Sequence, residues 1–361
     1  MPKIDAFFNH LMNEGGSDLH LSAGVKPQMR RHGELTEIPF KYDKLTNEML
    51  TELLAEICSE EQWKKFLDKK DLDFAYEIPG KARFRANYYY QKRGMGAVFR
   101  IIPDTVLTVE QLGLPQQVLR FADYSRGLIL VTGATGSGKS TTLAGIIDYI
   151  NKNRPDHILT VEDPVEFVHK PARCLINHRE VGAHTQSFAA ALKAALREDP
   201  DVILVGEMRD LETIELAITA AETGHLVFGT LHTNSAAKTV DRIIDVFPEG
   251  RQAQIRAMLS ESLKGVVCQQ LFKRTDKPGR VAALEIMFVN SAIANLIREG
   301  KTFQIPSSIQ TGKAEGMQLM DGAIKDLLTA GKISPEEAYA KCFDKKAFAK
   351  YLDTPPAEAE G

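Results

Sequence analysis

Helical and strand-like spacings alternate over the first hundred residues in short segments. Ile4, Phe7, Phe8 and Leu11 recur with helical period and predict a helix over residues 3–14. Ser17-Asp18-Leu19-His20-Leu21 alternates with period two and predicts a strand. Residues 46–58 and 60–67 predict two helices, and residues 71–78, 82–91 and 97–102 three strands. Turn signals at Pro79-Gly80 and Gly94-Met95-Gly96 separate those strands. The pattern describes a small α/β domain over residues 1–103, followed by a linker over 104–125 that contains Gly113 and Pro115. From Leu128 onward the pattern changes to apolar runs separated by longer amphipathic stretches. Strands are expected at 128–132, 157–161, 201–205, 226–231 and 281–289. Helices are expected at 139–151, 187–197, 211–222, 236–246, 251–271, 292–300, 317–330 and 335–342. Strand and helix in alternation imply a largely parallel sheet covered by helices, here over 126–353. The tail 354–361, rich in Pro, Ala and Glu, is expected to be disordered.

Bulk properties narrow the class. A chain of 361 residues suits two domains. No apolar run approaches the roughly 20 residues of a membrane span, and the beginning Met1-Pro2-Lys3-Ile4-Asp5 does not read as an export signal. Four cysteines, Cys58, Cys174, Cys268 and Cys342, lie far apart with no C-x-x-C pair, which argues against zinc and fits a reducing, cytoplasmic setting. A net charge of −3 supplies no electrostatic footprint for nucleic acid.

The chemistry begins at Gly133-Ala134-Thr135-Gly136-Ser137-Gly138-Lys139-Ser140, followed by Thr141. The pattern G-x-x-x-x-G-K-[ST] between a strand and a helix is a phosphate cradle. Its glycines let the backbone turn N–H groups inward, and the helix N-terminus adds the positive end of its dipole. Lys139 can reach the β- and γ-phosphates of ATP, and the Ser140 hydroxyl can ligate Mg²⁺. Glu162 and Asp163, with Glu166 beyond them, follow one strand, and Glu207 follows another, with Gly206 where many such enzymes carry Asp. Carboxylates at strand ends are placed to orient or deprotonate water or to hold the Mg²⁺ shell. His225 and His232 bracket the strand 226–231, near Thr230 and Thr233, and are expected beside nucleotide. Arg83, Arg85, Arg93 and Arg100 fall on neighbouring strands of the first domain, where a guanidinium fork could meet phosphate oxygens of an adjacent subunit.

Together these residues resemble the secretion ATPase superfamily, and most closely the PilT family of type IV pilus retraction ATPases. The resemblance runs through Ser17-Asp18-Leu19-His20-Leu21, Arg83-Phe84-Arg85, Val98 to Pro103, the phosphate loop (with Ala134 where Pro is frequent), Glu162-Asp163-Pro164-Val165-Glu166, Gly206-Glu207-Met208-Arg209-Asp210, and Gly224-His225 to His232-Thr233. Ala292 to Gly300 is similar to a helix tied to retraction, with Ala294 in place of a frequent arginine. The resemblance implies a RecA-like P-loop ATPase domain behind a smaller PAS-like α/β domain. It also implies a homo-hexameric ring docked on the cytoplasmic side of the pilus platform protein in the inner membrane. In that reading Glu162 is the base, Glu207 holds the Mg²⁺ shell, His232 senses the γ-phosphate, and Arg83, Arg85 or Arg100 completes the site in cis or in trans. The roles of Glu162 and Glu207 could be exchanged. The absence of a longer N-terminal region and of a four-cysteine zinc site favours retraction over extension. An accessory retraction ATPase, a nucleic-acid-translocating hexamer and a non-hydrolysing nucleotide sensor are the alternatives.

Overall fold

A computed structural model describes residues 2–31, 34–39, 44–102 and 105–352. The chain forms two compact units, Met1–Thr105 and Val106–Gly361. In the first, α1 (Asp5–Asn13), α2 (Asn47–Ala55) and α3 (Glu60–Lys69) accompany β1 (Asp18–Ser22), β2 (Gln28–Arg31), β3 (Glu34–Glu37), β4 (Asp71–Ile78), β5 (Ala82–Gln91) and β6 (Gly94–Ile102). The six strands form an antiparallel sheet in the order β3-β2-β1-β6-β5-β4. Alternation puts Phe84, Ala86 and Tyr88 of β5 into the core, where Phe8 of α1 stacks on Phe84 at 4.2 Å and meets Phe99 edge-on at 4.9 Å.

Two readings of this unit change. The short strands β2 and β3, the latter at the sheet edge, lie outside the expectation, because four-residue strands of mostly polar side chains carry no apolar signal. The turn expected at Gly94-Met95-Gly96 lies earlier: Gln91 pairs with Gly94 around Lys92-Arg93, and both glycines belong to β6. A Cβ on Gly96 would come within 2.6 Å of the Tyr89 ring, so close packing rather than turning requires glycine there.

In the second unit, residues 106–125 are not a free linker. A 3₁₀ segment, Gln116–Asp123, lies among them, and Val109, Leu114, Val118 and Phe121 enter the core, Phe121 stacking on Phe288 at 4.7 Å. The sheet comprises β7 (Gly127–Thr132), β8 (His157–Glu162), β9 (Leu175–Glu180), β10 (Val202–Val205), β11 (Leu226–Leu231), β12 (Leu263–Lys273) and β13 (Arg280–Phe288), in the order β13-β12-β7-β11-β10-β8-β9. All neighbours are parallel except the β12–β13 pair. Flanking it are α4 (Lys139–Asn153), α5 (Phe188–Ala195), α6 (Leu211–Glu222), α7 (Ala236–Asp245) and α8 (Glu249–Ser262). The remaining helices are α9 (Ser291–Arg298), α10 (Ile305–Thr311), α11 (Met320–Thr329), α12 (Pro335–Lys341) and α13 (Lys345–Ala349). The architecture is the RecA-like one expected. β7, β10 and β11 are buried along their whole length, as strands covered on both faces must be.

The largest correction is at residues 251–271, expected as one helix. The helix stops at Ser262, and residues 263–273 form β12 against β7. Gly265 within the stretch and β-branched Val266-Val267 after it oppose continued helix, and the strand buries Val266, Val267 and Cys268 completely. The edge strand β9 was also missed, its exposed positions being as irregular as its sequence Leu-Ile-Asn-His-Arg-Glu. The tail 354–361 lies outside the described residues.

Candidate nucleotide site

The parallel register brings the carboxyl ends of β7, β11, β10 and β8 to one edge, and the chemistry-bearing residues follow those ends. Gly133 to Ser140 leaves β7 and enters α4, whose N-cap is Gly138 at φ 89°, with no side chain capping the helix. The uncapped first turn leaves its N–H groups to an anion. Gly133 (φ 145°) and Gly136 (φ 76°) provide the rest of the curl. Within it Lys139 Nζ donates to the carbonyls of Gly133 and Ala134 at 2.9 and 3.1 Å. Burial lowers the Lys139 ammonium below the usual lysine range, while Glu207 and Glu166 act in the opposite direction. Ser137 Oγ is buried without a hydrogen-bond partner among the described residues, a donor suited to a phosphate oxygen. Ser140 and Thr141 are partly exposed at the start of α4.

Glu162 ends β8 and is 7% exposed; its Oε2 accepts the N–H of Glu166 at 3.1 Å. Glu180 of β9 stands opposite it in the ladder and accepts the N–H of Val165 at 3.1 Å. These two carboxylates pin the turn that exposes Asp163 and Glu166. Glu207, two residues beyond β10, lies 2.6 Å from His232 Nε2 and also accepts from Arg209 Nε. Burial pushes the Glu207 carboxyl up, but Arg209 and His232 outweigh it and hold it below the ordinary range. Gly206 has a local reason as well: a Cβ there would meet Glu162 Cα and Cγ at 3.2 Å. An aspartate in that slot would press on Glu162, so the carboxylate moves one place on. Two cavities flank the loop. One of ≈ 540 Å³ is lined by Thr135, Glu207, Arg209, His232 and Arg242. Another of ≈ 670 Å³ is lined by Gly133 to Ser137 with Gln269, Lys273, Arg280 and Lys341.

Not every expected residue gathers here. His232 follows β11 beside the loop, since Leu231 pairs with Thr132. His225 precedes the same strand at the opposite edge, and its Nδ1 is 2.9 Å from the Ala220 carbonyl. Seven residue steps along the strand separate the two histidines, about 23 Å at ~3.3 Å per residue. His225 is therefore not part of this protomer's pocket. Thr230 donates to the Gly206 carbonyl at 2.5 Å and Thr233 lies 2.6 Å from Thr239, so both hydroxyls serve the scaffold. In the first unit Arg85 and Arg100 face each other across β5 and β6, with Arg83 two residues along the same face. Arg100 Nε is anchored at 2.8 Å on buried Asp18, while its side chain remains 70% exposed. Arg93 sits in the hairpin turn, apart from these three.

Gln269, Glu180 and Arg242 were not anticipated. For Gln269 a signal existed: a 21-residue helix with an internal glycine is a poor reading of 251–271.

The family described as Type II/IV secretion system protein matches residues 1–313. The type IV pilus retraction ATPase PilT of Pseudomonas aeruginosa is 55% identical over 91% of this chain and 94% of its own length. A twitching motility protein of Neisseria gonorrhoeae is 54% identical over 86% of this chain and 83% of its own. The type IV pilus ATPase PilU of P. aeruginosa is 40% identical over 91% and 86%. Among solved structures, the pilus retraction motor PilT with bound ADP superposes with a TM-score of 0.89 at 45% identity, covering 96% of this chain and 98% of that one. The chain belongs to the Type II/IV secretion system protein family, in its branch of type IV pilus retraction ATPases.

Proposed function

We propose that this protein is the motor that hydrolyses ATP, with Mg²⁺, within a homo-hexameric ring to retract type IV pili. The observation that supports it best is the convergence at one sheet edge of an uncapped helix N-terminus, Lys139 and the carboxylates Glu162 and Glu207. In this reading the loop amides and Lys139 hold the phosphates, and Glu162, oriented by the Glu166 N–H, takes a proton from the attacking water. His232 reports the γ-phosphate through its contact with Glu207. Among the described residues no cluster of three or more His, Cys, Asp or Glu could hold a metal unaided. The oxygen donors Ser140 and Glu207 suit a hard cation and would hold Mg²⁺ here. When bound, Mg²⁺ supplies positive charge against the developing phosphate charge. One or more of Arg83, Arg85 and Arg100 completes the site of the next subunit, and the exposed Asp163, presented by the turn that Glu162 and Glu180 hold, stands on the nucleotide side.

No helix among the described residues is long and apolar enough to cross a membrane. The proposed setting is the cytoplasmic face of the inner membrane, docked on the pilus platform protein, with no nucleic-acid partner. An accessory retraction ATPase could share the task. The greater likeness to PilT than to PilU favours the primary motor over the accessory role.

The purified protein should release phosphate from ATP in a Mg²⁺-dependent, DNA-independent manner. Lys139→Ala should abolish turnover with unchanged thermal stability. Cells lacking the protein should carry excess surface pili and fail to twitch. Full hydrolysis by Lys139→Ala, or bald cells on deletion, would falsify this reading.

A further inference from the structure

The phosphate loop rests on a side chain that none of its motifs contains. Gln269 lies on β12 one residue past the Cys268–Thr132 pair, so it stands directly beside the point where β7 becomes the loop. It is 3% exposed. Its Nε2 donates to the Ser137 carbonyl at 2.7 Å, and its Oε1 accepts from the Thr142 hydroxyl at 2.6 Å. One planar amide thus joins the far limb of the loop to the first turn of α4. Its orientation is determined: a flipped amide would set two carbonyl-type acceptors, Oε1 and Ser137 O, against each other. The loop also packs on Gln269 without intervening side chains. A Cβ on Gly133 would come within 2.3 Å of the Gln269 carbonyl oxygen, and one on Gly138 within 2.8 Å of Nε2.

We propose that Gln269 is the positioning residue that sets the curvature of the phosphate loop, and that its loss weakens nucleotide binding more than it slows chemistry. The loop contains three glycines with positive φ and has little rigidity of its own. An anion cradle binds well only when its amides are held convergent before the anion arrives, because otherwise ordering the loop opposes binding. Gln269 touches no phosphate in this scheme. It changes the free energy of the preformed cradle, which acts on ground state and transition state alike and so appears in KM rather than kcat. The inference rests on the nucleotide-site reading of the loop.

The test uses the full chain and compares Gln269→Leu, Thr142→Val and the double variant with the parent, measuring ADP affinity by calorimetry and steady-state ATP hydrolysis. Gln269→Leu should raise the ADP Kd and the ATP KM together, by on the order of tenfold, with kcat within about threefold. Thr142→Val, which leaves the Ser137 bond intact, should move both in the same direction by less. The double variant should be no worse than Gln269→Leu alone, since the two share one interaction. Val267→Ala, buried on the same strand, should lower Tm yet leave KM unchanged. The proposal fails if Kd and KM of folded Gln269→Leu and Thr142→Val stay within about twofold of the parent. It also fails if the loss is confined to kcat, or if Val267→Ala raises KM equally. If Gln269→Leu does not fold, Thr142→Val decides alone. A parent that binds ADP without hydrolysing ATP would overturn the enzyme reading, while the ADP arm would still decide this one.

Discussion

The two sheets of this protein use their residues in opposite ways. In the parallel sheet of the second unit, helices cover both faces, and β7, β10 and β11 contribute only buried positions. Chemistry is excluded from its faces and confined to the edge where strands end, at Gly133, Glu162, Glu207 and His232. The antiparallel sheet of the first unit buries one face under aromatic side chains and leaves the other polar, so Arg83, Arg85 and Arg100 stand on the face itself. An edge residue is placed by the length of its strand. A face residue is placed by register, and a slip of β5 by one position would turn Arg83 and Arg85 into the core.

The largest expected effect tests the polar face. Arg83→Ala, Arg85→Ala or Arg100→Ala should reduce hydrolysis by about 10³–10⁵ at whichever position meets the neighbouring nucleotide. Mixed with Lys139→Ala, that variant should regain activity, because some interfaces then pair an intact arginine with an intact loop. Failure of every mixture, with mixed rings confirmed by size, would remove the trans arrangement. Arg100→Ala should also lower Tm, since buried Asp18 loses an ion-pair partner.

The edge comes next. Glu162→Gln and Glu207→Gln should each bind ATP and turn over more slowly, by roughly 10²–10⁴ for loss of a base. If Glu162 is the base, its variant keeps Mg²⁺-dependent affinity, whereas Glu207→Gln loses part of it. Equal Mg²⁺ dependence in the two would leave the division of roles unsupported. The smallest effect on rate, and the clearest on stability, belongs inside the parallel sheet. Leu130→Ala, fully buried in β7, should cost about 2–5 kcal/mol in denaturant unfolding while kcat at low temperature stays near the parent's. A catalytic defect without a stability loss would break the separation of edge from interior.

Legibility followed the same divide. Fully buried strands such as β7 and β11 are visible as largely apolar runs, and a glycine-rich loop between run and helix has few other readings. Short polar strands such as β2, β3 and β9 leave no comparable trace, because they are held by backbone hydrogen bonds to their neighbours and carry few apolar side chains that would mark a strand period. The stretch 251–271 failed for a different reason. Its apolar residues satisfy a helical spacing locally, Gly265 and Val266-Val267 oppose that reading, and the open hydrogen-bonding flank of β7 completes the choice of strand.

Local chemistry is what the amino-acid sequence alone determined here: a lysine, a hydroxyl and three glycines within eight residues make a phosphate cradle wherever the chain puts them. The carboxylates of Glu162 and Glu207 were likewise tied to strand ends that their apolar runs announce. Tertiary structure decided everything that depends on register between distant segments. It separated His225 from His232 by the length of β11, although both flank the same six residues. It set Glu180 opposite Glu162 across the β8–β9 ladder. And it brought Gln269 from 132 residues away in sequence to Ser137, because a hydrogen-bonded ladder fixes which residues of two strands meet, and no periodicity within either strand contains that information.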